Sequence, residues 1–63
     1  MNSVLRPNYR LARELKSEMD DVRSEIETAE REGAFSRVQD LTESLHDMQH
    51  AFFMTGVTSE YEL

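Results

Sequence analysis

The sequence predicts an all-α protein: an antiparallel two-helix hairpin that assembles with a second copy into a four-helix bundle homodimer. Three observations predict it. Apolar side chains recur every third or fourth residue in two long runs, the runs are out of phase, and Gly33 stands where the phase changes.

The first run is Leu5, Ala12, Leu15, Met19, Val22, Ile26 and Ala29, interrupted only at Asn8. Continued from Ile26, that register projects to positions 33 and 40. The second run, Ala34, Val38, Leu41, Leu45, Met48 and Phe52, needs 38 and 45 instead. One straight seam cannot hold both, so the chain is expected to fold back at the glycine. A lone glycine costs a helix only about 1 kcal/mol against alanine, so the rival is one continuous helix bent at Gly33, which the phase jump disfavours.

Local signals set the expected boundaries within a single domain spanning 1–63. Pro7 suits the first turn of a helix, where a missing N–H costs little, so the first helix is expected over about 3–32. A turn follows over about 32–36. Ser36, with Gln39 three residues on, reads as a capping box opening a second helix over about 36–55, which Gly56 terminates. The remainder, 56–63, reads as a mobile tail. Within the first helix, Lys16 with Asp20 and Arg23 with Glu27 are spaced to form ion pairs.

Size and composition narrow the function classes. Sixty-three residues bury too little surface for an enclosed enzyme pocket, and a chain without cysteine lacks the disulfides that staple many small folds. Association is the remaining route to stability, because a lone hairpin leaves its seam half covered. No apolar stretch approaches the length of a membrane span, and the N-terminus carries no signal-like apolar core, so a cytoplasmic protein is expected. The net charge of −6 is uneven: residues 1–16 carry +3 and residues 17–63 carry −9.

Arg6, Tyr9, Arg10, Arg13 and Lys16 fall within an arc of about 120° at 100° per residue, nearly opposite the seam. Arginine forks there could grip phosphates while Tyr9 stacks on a base. The same stripe also reads as a solvated helix face. Phe35 and Phe53 lie off the second seam and Leu11 off the first. They are read as widening the core; exposed, they would mark a docking site. His46 and His50 are spaced to reach one metal from a single helix, yet HDMQH lacks the glutamate of the zinc-protease pattern, so two solvated histidines are expected and no metal or cofactor. No nucleophile motif or phosphate-cradling glycine loop is present, and no catalysis is expected.

LARELKSE (11–18) and ESLHD (43–47) resemble first-helix and second-helix segments of the Rop (Rom) family, plasmid proteins that form antiparallel four-helix-bundle dimers and bind paired RNA hairpins. The resemblance covers 13 of 63 residues and implies the bundle. It also implies RNA-contacting positions at Ser3, Arg10, Glu14, Glu18 and Glu25, where three glutamates would repel phosphate. Tyr9 and the QHAFFM segment are similar to small phage hairpin proteins that sequester cyclic nucleotides. The expectation is therefore a non-catalytic regulatory or inhibitor protein of a bacterial or phage-infected cell. It would act by self-association and by binding a host protein. Two alternatives remain: binding of RNA or a small nucleotide by the basic face, and a coiled-coil assembly chaperone.

Overall fold

The computed structural model describes residues 6–63, and it is an all-helical antiparallel hairpin. Helix α1 runs Tyr9–Arg31, helix α2 runs Phe35–Phe53, and a 3-10 turn spans Glu60–Glu62. Leu5 and Ser3, which carried the expected start of the seam and of the first helix, lie outside the described residues.

Helix α1 begins later than Pro7 suggested. Asn8 is its N-cap, accepting a hydrogen bond on its side-chain oxygen from the Leu11 N–H at 3.0 Å. The residue that interrupted the apolar run is thus the cap that starts the helix, and Pro7 precedes the helix instead of opening it. Asn8 is tied again by its own N–H, which donates to the Thr55 carbonyl at 2.8 Å.

The bend at the other end is shorter than expected. Gly33 takes φ +71°, the Gly33 N–H donates to the Glu30 carbonyl at 3.1 Å, and the Ala34 N–H donates to the Ala29 carbonyl at 2.9 Å. This is a Schellman motif, which needs the left-handed residue that glycine supplies at no steric cost. It delivers the chain straight into α2, whose N-cap is Ala34 with no side-chain cap. The capping box at Ser36 and Gln39 therefore does not form, since Ser36 already sits inside the first turn.

The seam residues meet between the helices unequally. Ala12, Met19, Val22 and Ala29 of α1 are buried, with Leu15 and Ile26 half-buried. On α2 only Phe52 is buried; Ala34, Val38, Leu41, Leu45 and Met48 are all half-buried. Phe35, Phe53 and Leu11 do not widen the core: they are 76%, 70% and 42% exposed. Phe35 and Phe53 stand 18 residues apart, five full turns, so both fall on one outward flank of α2.

The segment after α2 is not a loose tail. Thr55 Oγ1 donates to the Phe52 carbonyl and accepts from the Val57 N–H, so the chain turns sharply after α2. Gly56 then adopts φ +86°, its α-carbon facing Pro7 so closely that a Cβ would lie 3.3 Å from the Pro7 Cα. Turned back by these contacts, Val57 becomes 1% exposed and joins Ala12, Met19 and Phe52 in the core cluster, with Leu63 packed against it. Residues 54–63 form a strap over one side of the interhelical groove.

Candidate functional site

The strap gives the hairpin two unlike sides. On the covered side an open groove of about 760 Å³ lies between the helices and the strap, with Met19, Phe52, Val57 and Leu63 among its apolar lining. Its rim is charged. The Arg23 guanidinium donates from Nη1 to Glu60 Oε1 at 2.9 Å and from Nη2 to Glu60 Oε2 at 2.8 Å, a bidentate fork reaching 37 residues along the chain. Arg23 Nη1 also donates to Asp20 Oδ1 at 3.0 Å, and Lys16 Nζ donates to Asp20 Oδ2 at 2.8 Å.

Lys16, Asp20, Arg23 and Glu60 thus alternate in sign along the rim. Hydrogen bonds from Arg23 hold the Glu60 carboxyl below the ordinary glutamate range, against the opposing effect of partial burial. The same fork raises the already high pKa of Arg23, and the Lys16 hydrogen bond leads in lowering that of Asp20. The chemistry available here is a latch, because the cations are already satisfied by carboxylates. Of the two ion pairs expected from spacing, Lys16–Asp20 is made, whereas Arg23 turns from Glu27 to Asp20 and Glu60.

The basic face is divided by the same geometry. Arg6 precedes α1 and so does not share its helical face. Lys16 is drawn into the latch. Arg10 stands 4.0 Å from Glu14 and is largely exposed; Arg13 is exposed with no ion pair among the described residues, and Tyr9 beside them is 44% exposed. Only Tyr9, Arg10 and Arg13 thus remain as an outward group of the five proposed from sequence. His46 and His50 are exposed on α2, and the described residues contain no group of three metal-ligating side chains.

Among the described residues, no segment covers the second side. Helix geometry places Leu11, Glu18 and Glu25 on the flank of α1 turned away from Lys16 and Arg23, while Arg37, Leu41, Ser44, Met48 and Ala51 form the matching row on α2. An ion pair between Arg37 Nη2 and Glu25 Oε1 at 3.6 Å joins the two rows near the turn. Between them the apolar stripe is only partly buried at Leu15, Leu41 and Met48.

Neither the latch nor the strap was found from sequence. The available signal was weak: apolar Val57 and Leu63 within a polar tail, and an acid at 60 that only folding brings to Arg23. No described helix is long and apolar enough to cross a membrane. Comparison with models of protein families, with curated proteins and with solved structures finds no match for this chain.

Proposed function

We propose that this hairpin is a non-catalytic regulatory or inhibitor protein that works by offering the uncovered side of its interhelical groove to another polypeptide. A second copy completing a four-helix bundle and a host protein are both polypeptides of the right kind. One observation carries this reading: the seam of α2 is only half-buried although the strap already shields the opposite side. Apolar surface left partly exposed is costly in water, and another chain covering it recovers that burial.

The test is solution mass by light scattering across a wide concentration range, with Leu41→Ser as the probe of the stripe and circular dichroism to follow the fold. Association that Leu41→Ser dissolves while helicity is retained supports the reading. A chain that stays monomeric, whose stripe neither takes up an apolar dye nor binds any polypeptide, overturns it.

A second reading has its own observation. Arg10 and Arg13 project from α1 with little or no engagement by carboxylates, and Tyr9 lies beside them, the arrangement an RNA phosphate or a small nucleotide would use. Arg10→Glu combined with Arg13→Glu abolishes RNA or nucleotide binding on this reading while leaving helicity intact. Binding that survives both reversals excludes it.

A further inference from the structure

We infer that the uncovered side of the groove is built for a basic amphipathic helix supplied by a partner protein. This inference rests on the reading of that side as a docking surface and names the chemistry of what docks there. The floor is apolar, with Leu11 42% exposed and Leu15, Leu41 and Met48 only partly buried along it. A groove between two helices takes a third helix through apolar anchors at i, i+3, i+4 and i+7.

The rims decide which helix. Bordering the floor on α1 are Glu14, Glu18 and Glu25; on α2 they are Asp40 and Asp47, all exposed. Among the cations of the two helices only Arg37 borders this side, and it already faces the Glu25 carboxylate at 3.6 Å. Near the turn a recess of about 550 Å³, lined by Ser24, Glu25, Thr28, Glu32 and Arg37, offers a polar, mainly acidic end for a long cationic side chain.

A second copy satisfies these rims poorly. A two-fold interface sets the same patch against itself, so carboxylate rims would oppose carboxylate rims in a chain of net charge −6. The cations that could relieve this are elsewhere: Lys16 and Arg23 are locked in the latch on the far side, and Arg13 faces outward on α1. A helix with leucines on one face and lysines or arginines along both borders of that face matches the floor and both rims together.

The experiment titrates the isotope-labelled full chain with a synthetic helix of that pattern, a scrambled peptide of equal composition, and a version carrying Glu for Lys. Amide shifts confined to the rows containing Leu11 to Ile26 and Arg37 to Ala51, with affinity falling as salt rises, are the expected result. Glu14→Lys, Glu18→Lys and Asp47→Lys sit on exposed positions that leave the fold intact. Each is expected to weaken binding by about two- to fivefold, and together they should turn preference toward the Glu peptide. Equal binding of the scrambled peptide, or shifts on the strap side, overturns the inference. A free chain that is already a dimer with Leu41 and Met48 protected from hydrogen exchange overturns it too, while leaving the broader docking reading standing. A monomer that binds none of the peptides and no other polypeptide removes both.

Discussion

The two sides of this hairpin are made from the same two helices and end in different states. On one, the chain returns through Thr55 and Gly56, buries Val57 against Met19 and Phe52, and fastens itself with the Arg23–Glu60 fork. On the other, no described segment returns, and Leu41 and Met48 stay only partly buried. A ten-residue extension thus finishes half of a small core. It also leaves the remaining half with a defined edge, the side that no described segment covers.

The largest loss of stability is expected at the centre that both sides share. Phe52→Ala removes the only buried seam side chain of α2 and is expected to cost about 3 kcal/mol or more, enough to unfold the chain in a thermal melt followed by circular dichroism. Phe53→Ala, one residue on but 70% exposed, should move the same melt by under about 0.5 kcal/mol. Equal losses at the two positions would mean that Phe52 is no more buried than Phe53.

The base of the strap comes next. Gly56→Ala forces a side chain into φ +86° and against the Pro7 backbone at 3.3 Å, a combined cost of about 2 kcal/mol. Gly33→Ala meets nothing within 4 Å at φ +71°, so only the conformational cost of about 1 kcal/mol applies. Urea titrations of the two variants should rank in that order, and the reverse ranking would mean the strap does not pack on Pro7.

The latch gives a smaller, pH-dependent effect. Because Arg23 lowers the folded-state pKa of Glu60 below its ordinary 4.5, the pair's contribution is complete at neutral pH. It is lost as pH falls through the folded value, when the carboxylate takes a proton. Glu60→Gln is expected to cost about 1 kcal/mol at pH 7, since the pair is partly exposed, and to cost little in acid. Amide exchange of residues 57–63 reads this directly. A strap equally protected at acidic and neutral pH in the native chain would dismiss the latch.

On the open side, stability and binding are expected to separate. Leu41→Ser removes a half-buried side chain, so the isolated hairpin should lose only about 1 kcal/mol in urea. Loss of the polypeptide bound at that face should be much larger. Comparable losses would place Leu41 in the core and away from any docking surface.

Much of the hairpin was legible from spacing alone. The phase jump across Gly33 predicted two helices folded together, and Ala12, Met19, Val22, Ala29 and Phe52 proved buried as the heptads required. Asn8 was misread because a cap and a polar break in a seam look identical in one dimension; only the Leu11 hydrogen bond distinguishes them. Phe35 and Phe53 were misplaced because two helices are too few to surround a wide apolar arc, whatever its composition. The basic stripe was only partly legible: azimuth follows from numbering, but Lys16 was claimed by Asp20, and Arg6 fell before the helix began.

The sequence by itself determined the two helices, their reversal at a glycine and the stripe each turns inward, because these depend on residues within a few turns of one another. Tertiary structure alone decided that residues 54–63 close one side, that Arg23 serves Glu60 in preference to Glu27, and that acidic rims border the side left open. Those outcomes join residues far apart in the chain, and no periodicity records which distant partner a charge will meet.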